Sequence, residues 1–469
     1  MTWRSPPFMK SPDDTPRPTL LVLSYEFTYS PFSGNGVLAR SLVKGLLACG
    51  HRVHVLCCRP APARAGDDLP IAAPEVSQEH ASALVVHGIE LSPEASWRRL
   101  DQQSAWKEFA DGARAKASEL LPKIQGSSVI AVDWSGGAAW RAMREFSPSG
   151  LTAPRPACLY INFRVYASGL NVADASAAWY DAQERSVLEA ADHALALSAR
   201  DQAALRSLRA AAASPPEVEI LRPCLRGDLE ALARRDAAET HAAHLPPAAA
   251  AALAASAAAG AAAVGREASG RRFVGCLVRA SAEKNPQLVA KLLEETNLAA
   301  ELSSRGLVLL VSCCGPTGVE LARRVRAAAP EAAVLESFLG AEALAAVFSA
   351  TVLNLHPCLY DAYGMSVVEA AAFGAPSVVN QGDCVGAAAL LGPDGCLELD
   401  LAAPLHEVAE ALLGWLDDAA ALAQRAHHAR ERALSWGEEA AGRQLSATIE
   451  RMLAQQRSAV KAPGSAACA

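Results

Sequence analysis

The sequence has no surplus of positive charge: 43 lysines and arginines face 50 aspartates and glutamates, for a net −7. Neither nucleic acid nor an anionic membrane is an evident partner for such a balance, although it does not exclude a local basic cleft. No cysteine pair has C-x-x-C spacing, although twelve cysteines are present. Metal clusters need recurrent spacing, and adjacent pairs such as Cys57-Cys58 and Cys313-Cys314 are poor disulfide partners. These thiols end apolar, strand-like runs and read as reduced and buried, in a cytosol-like compartment. The N-terminus lacks the apolar core of a signal peptide and carries Asp13-Asp14. Outside one alanine tract, no apolar stretch free of charges, glycines and prolines is long enough to span a bilayer. The expectation is a soluble, cytoplasmic chain without a transmembrane anchor. Organellar targeting, peripheral membrane contact and oligomeric state stay open.

With 469 residues, the chain exceeds what one core holds, so two domains are expected. After a polar, proline-rich tail (1–18), Thr19–Ser24 reads as a buried strand, Val37–Cys49 as a helix and Val53–Cys58 as a second strand. Strand, helix, strand is a parallel α/β opening. Further strands fit Ala83–Leu91, Ser128–Val132, Ala157–Asn162, His193–Leu197 and Val218–Leu221. A second series follows at Arg272–Val278, Leu307–Ser312, Ala333–Leu335, Val352–Leu355 and Ser377–Asn380, with helices over Pro286–Glu295, Gly318–Ala328, Ala341–Phe348 and Pro404–Asp418. The predicted architecture is two doubly wound Rossmann-like domains, 19–227 and 271–435, facing across a cleft. Between them, 228–270 is alanine-rich without an amphipathic face and reads as a linker or insertion of no chemical consequence. A helix over 436–457 precedes a loose tail, 458–469.

Chemistry is sought where strands end. Gly34 and Gly36, ahead of the first helix, let backbone approach a phosphate at a helix N-terminus. With Ala39 they satisfy G-x-G-x-x-A, the dinucleotide pattern, but the loop is too long and Cys57-Cys58-Arg59 replaces the acid expected after the second strand. An NADP-dependent reductase, with Arg59 on the 2′-phosphate, is the minor alternative. Arg279 and Lys284, five apart where the second half begins, can converge on one diphosphate. Gly315, in a turn after the next strand, is expected on the cleft floor, and Asp133 and Arg164 on the rim of the first half. His356 through Glu369 reads as strand end, loop and helix start. Two carboxylates, Asp361 and Glu369, bracket it, and acids there either cap the helix or grip ligand hydroxyls.

These residues, in this order, resemble the family-four glycosyltransferases, retaining enzymes of the GT-B fold, over roughly Thr19 to Leu453. The resemblance rests on the glycine loop, Gly50-His51-Arg52-Val53-His54-Val55, Asp133-Trp134, Gly275-Cys276-Leu277-Val278-Arg279 with Lys284, and the acid–seven residues–acid motif from Asp361 to Glu369. It implies transfer of a hexose from a nucleotide diphosphate sugar, UDP favoured, to an unidentified acceptor without metal or other cofactor. On this footing Arg279 and Lys284 hold the diphosphate and Glu369 the ribose hydroxyls. Asp361, where the family usually has glutamate, faces the donor sugar. Tyr363, Gly364, Met365, Ser366 and Val367 present backbone N–H groups, while Gly34 and Gly36 approach from the opposite domain. Asp133 joins Arg279, Lys284 and Asp361 as a candidate catalytic residue, and Gly315 and Arg164 as binding candidates complete the site. The family's frequent histidine near the Asp-Trp strand end is missing, since Ile130-Ala131-Val132 precede Asp133. The usual glycine pair and glutamate are replaced by Gly382-Asp383-Cys384-Val385-Gly386. These departures motivate a second alternative, a catalytically weak scaffold that binds a nucleotide sugar or a protein partner.

Overall fold

The structure, a computed structural model, describes residues 17–27, 34–59, 78–92, 103–124, 126–145, 155–166, 176–209, 216–222, 224–235, 244–258 and 272–461. The expected tails 1–18 and 458–469 lie mostly outside these residues. Seven strands form the first sheet: β1 (Thr19–Leu23), β2 (Arg52–Arg59), β3 (Leu84–Glu90), β4 (Ser128–Val132), β5 (Ala157–Asn162), β6 (His193–Ala196) and β7 (Glu217–Ile220). Six form the second: β8 (Phe273–Cys276), β9 (Val308–Ser312), β10 (Ala333–Leu335), β11 (Thr351–Leu355), β12 (Ser377–Asn380) and β13 (Cys396–Leu399). Every pairing is parallel, which is why strands such as β1 and β4 are apolar along their length rather than alternating: helices cover both faces.

The orders are β3-β2-β1-β4-β5-β6-β7 and β10-β9-β8-β11-β12-β13. Each reverses direction once, between β1 and β4 and between β8 and β11. Ligands of open α/β sheets bind beyond the strand C-termini at such switch points. The segments that follow β1, β4, β8 and β11 there carry Gly34, Asp133, Arg279 and His356.

Three differences from expectation have clear causes. The helices Ser176–Ala190, Ala199–Arg209 and Ala419–Ser435 depart from expectation because alanine and interspersed charges dilute their apolar stripe, and β13 because its four residues are too short a run to stand out. The helix after β4 starts at Asp133 itself, without an intervening loop; Asp133 takes φ 57° to make the turn. The described parts of the 228–270 segment pack against the second domain. Its helix Pro247–Ala258 lays Ala249 against Phe273, Val308, Leu310 and Leu335 of the second sheet. Methyl groups pack closely on a sheet even where no polar face marks the orientation. A short helix, Gly227–Ala233, places Leu229 and Ala233 among Phe348, Val367 and Val368 of the second domain.

The last helix, Glu438–Lys461, returns to the first domain and crosses the helix Gly34–Ala48. Their backbones touch at Gly45 and Gly442: a Cβ on Gly442 would stand 2.2 Å from the Gly45 carbonyl oxygen. Ala441, Leu445 and Ile449 are buried here with Leu42 and Leu46. Gly442→Leu must push the helices apart, since the obstacle is backbone. It is expected to destabilise the fold by about 3 kcal/mol, read as a lower urea midpoint.

Candidate functional site

A cavity of about 700 Å³ opens between the two sheets, lined from both domains at the switch-point loops. Its second-domain wall begins where β8 ends. Arg279 pairs with Glu283 and lies beside Ser281. Lys284 reaches across to β11's loop, its Nζ 2.5 Å from Asp361 Oδ2. The same oxygen is 3.1 Å from His356 Nε2, and His356 Nδ1 is 3.2 Å from Ser366 Oγ. Burial opposes charge on all three groups, but their attraction dominates. Lys284 is raised, Asp361 is held well below the usual carboxylate range, and His356 is raised to about 9 with Cys358 and Asp361 facing it. At neutral pH the trio therefore carries two positive charges around one carboxylate. Cys358 completes a His–Cys–Asp group of metal-compatible spacing. The carboxylate of that group is already engaged by the Lys284 ammonium.

Beyond Asp361 the chain turns at Gly364 (φ 71°) into the helix Met365–Ala372. A Cβ there would meet Val385 at 2.7 Å, so only glycine lets this helix start so close to the loop. Its N-terminus faces that of the helix Gly34–Ala48: a Cβ on Gly34 would lie 3.6 Å from Met365 Cε. Two helix N-termini, the ends favourable to anions, thus meet at the cavity. One turn further in, Glu369 is buried. Burial raises its carboxyl to about 7; Arg226, 3.4 Å away, works in the opposite direction, while Asp228 adds to the rise. Oε1 makes no hydrogen bond. Arg226 is held by both oxygens of Asp228, at 2.8 and 2.7 Å.

The first-domain wall is less charged. Asn35 lines it and donates to Asp133 Oδ2 at 3.3 Å. Asp133 sits behind, its carboxyl raised by burial to about 7. Arg164 lies with its guanidinium over Tyr360 at 5.3 Å and Tyr166 at 5.9 Å. Contacts between domains frame the cleft: the Tyr360 hydroxyl donates to Asp201, and the Tyr363 hydroxyl to the Cys224 carbonyl at 2.7 Å. Asp201 also accepts from Val165 N–H and Ser198 Oγ, so it is not orphaned by losing one donor. Tyr360→Phe should accordingly cost only about 1–2 kcal/mol, checked by denaturant unfolding.

Of the residues singled out from sequence, Gly34, Arg164, Arg279, Lys284, Asp361, Tyr363, Met365, Ser366 and Glu369 line this one cavity. Gly36, Asp133, Gly364 and Val367 lie behind its surface, shaping the elements that face it. Gly315 does not reach the floor. It braces the Arg279 loop from beneath, where a Cβ would strike the Ala280 carbonyl oxygen at 2.6 Å. Arg59 ends β2 beside Glu90, 3.9 Å away, and is not part of the lining. Asp361 spends both oxygens inside the protein, Oδ2 on Lys284 and His356 and Oδ1 toward Tyr363 N–H at 3.4 Å.

Sequence reasoning passed over His356, Arg226 and Phe338. His356 directly follows β11, a position that could have flagged it. Arg226 follows the last strand of the first domain, outside any motif. Phe338, 76% exposed on the rim, stands in a loop with no pattern at all.

No protein family and no curated protein matches the chain by sequence. Solved structures do match. Sucrose-phosphate synthase from Thermosynechococcus elongatus superimposes with a TM-score of 0.68 at 17% identity, covering 94% of this chain and 100% of that one. Trehalose-6-phosphate synthase OtsA gives 0.66 at 14% identity, covering 92% and 99%. Anabaena HepE in complex with UDP and glucose gives 0.59 at 14%, covering 93% and 100%. At these identities the likeness establishes the architecture: two Rossmann-like domains arranged as in GT-B glycosyltransferases. Among the described residues no helix is long and apolar enough to cross a membrane.

Proposed function

We propose that this protein is a retaining glycosyltransferase that moves a hexose from a nucleotide diphosphate sugar, UDP-glucose in the first instance, to an acceptor without a metal. The observation that carries the reading is the convergence of Arg279, Lys284 and two opposed helix N-termini, at Gly34 and Met365, around one cavity. Such an arrangement fits a diphosphate, the leaving group whose charge must be stabilised as the glycosidic bond to it breaks. Glu369, whose Oε1 is ion-paired with Arg226 at 3.4 Å but makes no hydrogen bond, lines the cavity and is placed to accept hydrogen bonds from ribose hydroxyls. Phe338 offers an exposed flat face at the rim on which a base can stack. HepE binding UDP and glucose in the same architecture agrees with this donor. Retention and metal independence rest on the sequence resemblance.

In the reaction, Arg279 and Lys284 neutralise the departing diphosphate. Asp361 orients Lys284 rather than contacting the sugar through a free oxygen. Asn35, in the first turn of the glycine-loop helix and backed by Asp133, lines the cavity and suits an acceptor hydroxyl.

Thermal unfolding with UDP, UDP-glucose and NADPH tests the reading. A nucleotide ligand at a hundred times its Kd stabilises the fold by about 2.7 kcal/mol. Stabilisation by UDP-glucose, and donor hydrolysis faster than in Glu369→Ala, are expected. Binding with no excess hydrolysis over Glu369→Ala would leave the weak-scaffold alternative standing, and stabilisation by NADPH alone would favour the reductase.

A further inference from the structure

All but one of the lysine and arginine side chains that line the cavity have a carboxylate partner: Arg279 has Glu283, Lys284 has Asp361, and Arg226 has Asp228 and Glu369. Arg164 differs. Among the described residues no carboxylate lies within ion-pair distance of it, and its buried Nε has no hydrogen-bond partner. It lines the cavity from the first domain, just past β5, held between the rings of Tyr166 and Tyr360. A second guanidinium, Arg200, stands 4.9 Å from the same Tyr360 ring. Its guanidinium donates to Cys384 Sγ at 3.5 Å and forms no ion pair among the described residues, so it adds positive potential to the same place. A guanidinium that is partly desolvated, fixed by aromatic packing and left without an anion is preorganised for one supplied from outside.

We infer that Arg164 receives an anionic group on the acceptor, a phosphate monoester, so that the substrate taken by the first domain is a phosphorylated sugar rather than a neutral one. The inference rests on the glycosyltransferase reading for the word acceptor, but not for the anion site itself. The donor's diphosphate is matched by the second-domain cations and helix ends, whereas Arg164 projects from the opposite wall. The planar fork suits two phosphate oxygens at once, and the Tyr166 and Tyr360 rings pack beside it. In the reaction sequence, an enzyme that phosphorylates a sugar would have to supply this acceptor.

The test titrates inorganic phosphate into the UDP-saturated protein by calorimetry, for wild type, Arg164→Gln and Arg164→Lys. Saturation with UDP removes the diphosphate cradle from competition. Phosphate is expected to bind the wild-type complex, at least about tenfold more weakly in Arg164→Gln, with partial recovery in Arg164→Lys and UDP affinity changed by less than about threefold in both. Unchanged melting temperatures guard against misfolding. Equal phosphate affinity in wild type and Arg164→Gln overturns the inference. So does a tenfold loss of UDP affinity in Arg164→Gln, which would assign the side chain to the donor. Acetate in place of phosphate separates a carboxylate ligand from a phosphate: Arg164-dependent binding of acetate alone overturns the phosphate assignment. If UDP fails to bind the wild type, the glycosyltransferase reading falls separately. The same phosphate titration of the unliganded proteins then decides the anion site by the same criterion.

Discussion

Lys284→Met should slow donor turnover by about a hundredfold or more, as the loss of a fixed charge stabiliser does when leaving-group charge develops. The side chain is 27% exposed and faces the cavity, while its ammonium is fixed at 2.5 Å from Asp361. A cation already immobilised needs no reorganisation when the diphosphate departs, which is the source of its advantage over a solvated lysine. The same substitution strips Asp361 of one partner. Breaking a buried pair typically costs about 3–5 kcal/mol, because the surviving charge is left uncompensated. Here the loss should fall at or below the lower end, about 1–3 kcal/mol, since His356 remains protonated 3.1 Å from the same carboxylate oxygen. Lys284→Met with Asp361→Asn removes both charges and should recover part of the stability but none of the turnover. Stopped assays of donor hydrolysis and urea unfolding report the two quantities separately. Turnover within threefold of wild type for Lys284→Met would remove this lysine from the diphosphate site.

Glu369 gives the second large effect, one that depends on pH. Its carboxyl is raised to about 7 from the model-compound 4.5, foremost by burial. The folded state therefore holds a proton that the unfolded chain releases. Between those two values the native state binds more protons than the unfolded one, so this group's contribution to stability falls as pH rises from about 4.5 to 7 and is level above that. The difference corresponds to an order of 3 kcal/mol, and Glu369→Gln, which cannot ionise, lacks it. Relative to that variant, wild type should lose stability across this window. Nucleotide binding should run the other way: the ionised carboxylate is the acceptor that ribose hydroxyls need, so UDP affinity is expected to strengthen as pH rises through 7. Glu369→Ala should weaken UDP by about 10- to 100-fold, the effect of losing hydrogen bonds to a charged group. A variant that binds UDP as wild type does at pH 8 would detach Glu369 from the ribose.

Much of the architecture was legible because parallel sheets leave a strong trace. Fully buried strands such as Leu20–Leu23 and Val129–Val132 are apolar at every position, and the loops after them carry the glycines and charges. The acid–seven residues–acid motif has a simple geometric basis: a loop and one helical turn separate Asp361 from Glu369, so both fall on one wall. Helices rich in alanine escaped notice because the apolar stripe of Pro247–Ala258 or Ala419–Ser435 lacks contrast with its surroundings. Arg226 escaped because the chain brings it to Glu369 across 143 residues, and no local pattern encodes that distance.

The stretch from His356 to Glu369 shows where each level of information stops. The sequence alone determined a strand end, a glycine-permitted turn and a helix start with an acid at each side, because those follow from neighbouring residues and backbone sterics. Only the tertiary structure decided what the acids do. It turned Asp361 inward onto Lys284 and His356 and left Glu369 buried beside Arg226 with an oxygen that makes no hydrogen bond. It also set Arg164 opposite them without a carboxylate partner among the described residues. The energy of a charge depends on the charges and solvent around it in space, and those are fixed only when the two domains close on one cleft.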